Sequence, residues 1–153
     1  MAKFPMQVPR SVSQMTDFPL ISFVCAWYER EESIAASVNS MLAQDYPNFE
    51  IIIVNDGSTS SKVLERLLSF SDPRLHVVNQ DNFGFVYSIR RAIEMSRGAY
   101  IAIMGAGDIC EPDRLKQQYE VFRTNERLAI AGCYYTKLHT GFKNDEIFRP
   151  FAP

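Results

Sequence analysis

Three short stretches hold side chains able to do chemistry, and each directly follows an apolar run. Asn55-Asp56-Gly57-Ser58 follows Ile51-Ile52-Ile53-Val54, Gly105-Ala106-Gly107-Asp108 follows Tyr100 to Met104, and Trp27-Tyr28-Glu29 follows Leu20 to Ala26. If the apolar runs are parallel strands of one sheet, their carboxyl ends share an edge, which is where open α/β sheets place ligands. The edge would then carry an aromatic ring (Trp27 or Tyr28), the carboxylates Asp56, Asp108 and Glu29, and glycine backbone at Gly105 and Gly107. A ring stacks on a base, a carboxylate accepts from base or ribose, and backbone amides face phosphates, so the set suits a nucleotide. Asp56 also has a plainer reading as a turn residue bonding its own backbone. Gly57 turns the chain at low steric cost, and Ser58, Thr59 or Ser60 can cap a following helix.

The elements that must position these residues follow from periodicity. The β-branched run Ile51 to Val54 suits a central parallel strand covered on both faces. Leu20 to Ala26, Leu75 to Val78, Tyr100 to Met104 and Leu128 to Tyr135 read as further strands. Between them, Ile34, Val38, Met41 and Leu42 mark a helix within 30–44, and Val63, Leu64, Leu67 and Leu68 mark one over 61–70. Val86, Ile89 and Ile93 mark a third helix, with Gly98 as its C-cap, and Leu115, Tyr119 and Phe122 mark a fourth starting at Pro112. This alternation predicts an α/β, Rossmann-like fold with a mostly parallel sheet and helices on both faces. Residues 1–17 lack periodicity and read as an extended or mobile arm, leaving 18–153 as one domain.

Composition narrows the function classes. The chain has 153 residues, 46% hydrophobic and 22% charged, which is ordinary globular usage. With 16 basic against 18 acidic residues and a net charge of -2, no polycationic surface is expected for nucleic acid. Cys25, Cys110 and Cys133 form no CxxC pair and no zinc-ligand spacing with His76 and His139. Cys25 and Cys133 sit in apolar runs and read as core residues of a protein in a reducing compartment. His76, within a strand, reads as structural. No segment is apolar over the roughly 20 residues that span a bilayer, so a cytoplasmic location is expected, with peripheral contact at the inner membrane face left open.

From Leu20 to Tyr135 the chain resembles the inverting, nucleotide-sugar-dependent glycosyltransferases of family 2, which have the GT-A fold. The resemblance is carried by the strand ending in Tyr28, by SMLAQDYPNFEIIIVNDGSTS and by RGAYIAIMGAGDICEPDRL, in the family's order and spacing. It implies that Ala26 and Tyr28 hold the nucleotide base, with Glu29 in place of the family's Asn, and that Asp56 hydrogen-bonds the base. Gly105-Ala106-Gly107-Asp108 falls on the family's Asp-x-Asp-Asp stretch, which approaches the sugar, the ribose and the metal-bound diphosphate. Gly105 and Gly107 replace both aspartates of the Asp-x-Asp, so a Mg2+ or Mn2+ would rest on Asp108 alone. Ile89 stands near a frequent family Arg, with Arg90 and Arg91 adjacent.

The resemblance further implies a nucleotide-diphospho-sugar donor, a saccharide or lipid-linked acceptor, and a role in cell-surface polysaccharide synthesis. The family's catalytic base comes from a later segment; Asp145 and Glu146 are available but read as a solvated loop. The catalytic residue therefore stays unassigned, and the chain reads as a donor-binding part, inactive by itself. Two rival readings are a non-catalytic binding or scaffold domain that kept the fold, and a dinucleotide-binding oxidoreductase in which Gly105-Ala106-Gly107 opens a G-x-G-x-x-G fingerprint. The second lacks the third glycine, because Cys110 stands there.

Overall fold

The computed structural model of the chain describes residues 18–137 and 146–148. The arm expected for residues 1–17, His139 and Asp145 lie outside these. The elements are β1 (Ile21–Trp27), a 3-10 turn (Glu31–Ser33), α1 (Ile34–Leu42), β2 (Phe49–Asp56), α2 (Ser61–Leu68), β3 (Leu75–Gln80), α3 (Phe85–Met95), β4 (Tyr100–Ile103), α4 (Arg114–Thr124), β5 (Tyr135–Lys137) and β6 (Glu146–Phe148). They fall into two compact units, one ending at Leu115 and one beginning at Lys116.

In the first unit the sheet order is β3-β2-β1-β4, and every pairing is parallel. All of β2 is buried, as its run of β-branched residues requires in a strand with neighbours on both sides and cover on both faces. Val24, Ile52 and Val54 pack with Ile89 and Ala92 of α3, and Ala26 and Val78 border the cluster. Side chains alternate along a strand, so Phe23, Cys25, Ile51 and Ile53 point the other way, and they too are fully buried. α1 and α2 contribute buried stripes, Ile34, Val38 and Met41 from one and Val63 and Leu67 from the other. Each such side chain contributes about 1.5–3 kcal/mol by leaving water.

Two polar clusters lock this unit. At the amino end of the sheet the buried Glu50 accepts from Ser22 Oγ (2.7 Å), Arg97 N (2.7 Å) and the Arg97 guanidinium (2.7 and 3.0 Å), tying the turn after α3 to β1 and β2. After α1, buried Gln44 donates to the Glu111 carbonyl (2.7 Å) and accepts from Leu115 N (3.0 Å). Asp45 N donates to the Pro112 carbonyl (2.8 Å). The Gln44-Asp45 pair thus fixes the segment that leaves the third chemical loop.

Several elements differ from the sequence reading. The buried face of α3 is Ser88, Ile89 and Ala92, while Val86 and Ile93 are exposed. Ser88 is buried because its hydroxyl accepts from Gln80, and this rotates the covered arc away from positions 86 and 93. Ser96, not Gly98, caps α3; a side chain at Gly98 would collide with Ser22, so that glycine serves a close approach. Leu68 at the end of α2 faces solvent. No strand covers 128–134. Ile130 is 85% exposed and Cys133 is exposed rather than core, because Ala and Gly in LAIAG give the run little strand preference. In the second unit Tyr135–Lys137 instead pairs antiparallel with Glu146–Phe148, so Glu146 belongs to a strand rather than a loop.

Candidate nucleotide-binding site

The loop after β1 is held in an uncommon backbone conformation. Trp27 is fully buried and donates its indole N–H to the Glu29 carbonyl (2.6 Å), which makes it a core residue and leaves Tyr28, 47% exposed, as the ring facing out. Glu29 and Arg30 both have φ of 55°. Left-handed backbone costs a non-glycine residue about 1–2 kcal/mol, so the neighbours must hold it in place. Glu29 N donates to Ser58 Oγ (3.0 Å), and Thr59 donates its N–H (2.8 Å) and hydroxyl (2.7 Å) to Glu29 Oε1. The two Thr59 bonds lower the Glu29 pKa. Arg30 Nη1 donates to the Ala106 carbonyl at 3.2 Å. The first loop is thereby fastened to both others.

Asp56 ends β2 with its carboxylate buried and engaged. Oδ1 accepts from Gln80 Nε2 (2.8 Å) and Phe83 N (2.9 Å), and Oδ2 accepts from Gly84 N (2.9 Å). Burial pushes its pKa up, but the hydrogen bonds from Phe83, Gln80, Ser88 and Gly84 outweigh that, and the carboxyl titrates below its ordinary range. Asp56 is therefore more than a turn residue bonding its own backbone: it anchors the start of α3, whose N-cap, Gly84, offers no side chain. Gly57, at φ 66°, lets this happen, because a Cβ there would strike the Asn82 backbone. Ser58 and Thr59 bind Asn55 and Glu29 rather than capping α2, and Ser60 at the N-cap makes no side-chain capping bond.

In the third loop Asp108 N donates to the Gly105 carbonyl (3.1 Å), and the Asp108 carboxylate folds over Gly105. Gly107 has φ of 86° and packs its bare Cα against Ser33 and Arg30; an added Cβ would lie 3.2 Å from Ser33 Cβ and 3.6 Å from Arg30 Cδ. Asp108 is exposed. Its charge adds to burial in pushing the Cys25 thiol up to about 12, so Cys25 is an inert core thiol.

The structure thus brings Tyr28, Glu29, Asp56 and the 105–108 loop to one edge of the sheet, while Ala26 turns its methyl against the α3 core cluster. A fourth loop, 81–84, joins them through Asp56, and it was not among the three chemical stretches of the sequence. Its signal was available in Gly84, a glycine between a strand and a helix. Gln80 also went unread, and Arg91, noted only as adjacent to Ile89, donates its Nη1 to Gln80 Oε1 (2.7 Å), backing the Gln80–Asp56 bond. Ile89 is core, and Arg90 pairs with Glu94 (2.7 Å) on the surface. Arg114 donates to the Ile103 carbonyl (3.0 Å) and to Met104 Sδ (3.1 Å). A separate hollow of about 180 Å³, lined by Glu50, Ile52, His76, Met95 and Arg97, involves the amino half of β2 and none of these loops.

The donor set at the third loop does not form a resident metal centre. Glycine offers only backbone, Gly107 points none of its atoms as a side-chain ligand, and among the described residues no three His, Cys, Asp or Glu side chains converge. Asp108 is the single carboxylate available there to a cation arriving with a diphosphate.

A parallel β3-β2-β1-β4 sheet with its polar loops at the strand carboxyl ends defines a Rossmann-like nucleotide-binding fold. Residues 22–151 match the model of Glycosyl transferase family 2, and the chain belongs to that family. An uncharacterized glycosyltransferase of Haemophilus influenzae is 33% identical over 123 residues, covering 78% of this chain and 38% of its own. A putative teichuronic acid biosynthesis glycosyltransferase, TuaG of Bacillus subtilis, is 33% identical over 105 residues, 67% of this chain and 41% of its own. The chain thus spans about two fifths of the length of these relatives. Among solved structures, S. aureus TarS 1-349 in complex with UDP is similar with a TM-score of 0.61 and 22% identity, covering 69% of this chain and 32% of that one. The mannosyltransferase PcManGT of Pyrobaculum calidifontis, in complex with GDP-Man and Mn2+, gives 0.62 and 21%, covering 70% and 33%. The fold is that of the GT-A glycosyltransferases. The dinucleotide-fingerprint reading of Gly105-Ala106-Gly107 falls with this, since no helix begins until Arg114.

Proposed function

We propose that this chain binds a nucleotide-diphospho-sugar and serves as the donor-binding part of a family 2 glycosyltransferase. The acceptor is a saccharide or lipid-linked saccharide of a cell-surface polysaccharide. The observation that carries the reading is that four loops at the carboxyl edge of the sheet are tied together through Asp56, Glu29 and Arg30, with Tyr28 exposed beside them. The TuaG relative and the UDP-bound and GDP-Man-bound neighbours support donor class and pathway type. In this reading Tyr28 stacks on the base, Asp56 accepts from it while holding the 81–84 loop, and the 105–108 backbone approaches the diphosphate. No described helix is long and apolar enough to cross a membrane.

Calorimetric titration of UDP, GDP and dTDP into the wild-type chain and Tyr28→Ala tests this. One nucleotide is expected to bind preferentially, and Tyr28→Ala weakens it by about 1–3 kcal/mol, the worth of one base-stacking contact. Folding stability should move by less than about 0.5 kcal/mol, because the ring is on the surface. Binding of none of the three, or equal binding by the variant, contradicts the reading. The glycines at 105 and 107 favour a second reading, a donor-binding domain without turnover. It is separated from the first by following sugar release from the preferred donor.

A further inference from the structure

We propose that the guanidinium of Arg30 is the cation that receives the donor's diphosphate, so that nucleotide binding to this chain does not require a divalent metal. The inference deepens the donor-binding reading and rests on it. A diphosphate at the 105–108 loop needs positive charge, and the loop's own side chains supply only the negative Asp108. Arg30 reaches that loop: its Nη1 is 3.2 Å from the Ala106 carbonyl, and its Cδ lies beside Gly107. A guanidinium has five N–H donors, and Ala106 takes one; among the described residues Arg30 forms no ion pair. The remaining donors are on an exposed residue and open to solvent at the edge where the other site loops meet.

Two features of the chain and one of arginine itself converge on this placement. Arg30 and Glu29 are its two non-glycine residues with positive φ among those described, and from that backbone Arg30 reaches the Ala106 carbonyl of the third loop. Gly107 has φ of 86° and lies beside Ser33 and the Arg30 stem, so the residue that offers no carboxylate is the one the guanidinium stem runs past. Arginine's planar fork matches phosphate oxygens bidentately and keeps its charge at any physiological pH. A metal and a guanidinium are alternative ways of neutralising one diphosphate, and the loop is built for the second.

The test titrates UDP, GDP and dTDP, and the matching nucleosides, into the full 153-residue chain in EDTA and again with Mn2+. Wild type, Arg30→Ala and Arg30→Lys are compared, with thermal melting to confirm that each is folded. The expected result is wild-type diphosphate binding in EDTA within about threefold of that in Mn2+. Arg30→Ala should lose about 10- to 100-fold for the diphosphate, the scale of a charged hydrogen bond, with nucleoside binding unchanged. Arg30→Lys should retain part of the affinity, because it keeps the charge and loses the bidentate fork. Equal diphosphate binding by Arg30→Ala, equal loss of nucleoside and diphosphate, or wild-type binding only with Mn2+ each overturns the proposal while leaving donor binding intact. Absence of any nucleotide binding by wild type overturns both.

Discussion

At the scale of single residues, Asp56 and Gly107 show how position and side chain divide the work. Asp56 already accepts three hydrogen bonds from the 80–84 segment. Gly107 has the opposite character, since its lack of a side chain is what the fold uses. Gly107→Asp would restore the family's acidic pattern, but at φ 86° it is expected to cost about 1–2 kcal/mol in urea unfolding. It should not create Mn2+ binding in the free protein. Tight Mn2+ binding by that variant with unchanged stability would show that the loop tolerates the carboxylate. The carboxylates and glycines of the edge were legible in the sequence because each ends an apolar run. Arg30 was not, because left-handed backbone at two consecutive non-glycine residues has no sequence signature.

At the scale of elements, the strands whose burial is complete or nearly so, β1 and β2, were read within a residue or two at either end. Their apolar runs admit no other packing. The α3 face was misread because a buried serine with a partner looks polar in sequence, and the run at 128–134 was misread because an apolar stretch has no period to separate strand from coil. Gln44 carries the element-scale prediction. It joins the end of α1 to both Glu111 and Leu115, so Gln44→Ala leaves the buried Leu115 N–H and the Glu111 carbonyl without those partners. The cost is expected at about 1–3 kcal/mol. Hydrogen exchange at the Leu115 amide should accelerate while the β2 amides stay protected. Unchanged exchange at Leu115 would mean that the segment is held by Asp45 and Pro112 without Gln44.

At the scale of the whole molecule, stability is tied to ionised carboxylates at separate places in the first unit. Asp72, hydrogen-bonded by Arg74, is held at about 2. Burial raises Glu50, but its bonds from Arg97 and Ser22 dominate, so Glu50 and Asp56 are also depressed. Depressed folded values contribute stability that is fully present above the unfolded values near pH 4 and is lost as pH falls through the folded ones. The melting temperature is therefore expected to be flat from about pH 5 to 7 and to fall below about pH 4, with Glu50→Gln lowering the plateau and shrinking the acid-side slope. A melting temperature that rises on acidification would contradict these assignments.

The central claim is that a nucleotide diphosphate binds at the carboxyl edge of the sheet, and amide chemical-shift mapping tests it most directly. With UDP, GDP or dTDP added to the 15N-labelled chain, shifts are predicted at Tyr28 to Arg30, Asp56 to Thr59, Phe83 and Gly84, and Gly105 to Asp108. Amides of Glu50, His76, Met95 and Arg97, which line the hollow away from those loops, should stay in place. Shifts confined to that hollow, or no saturable shifts with any of the three nucleotides, would contradict it.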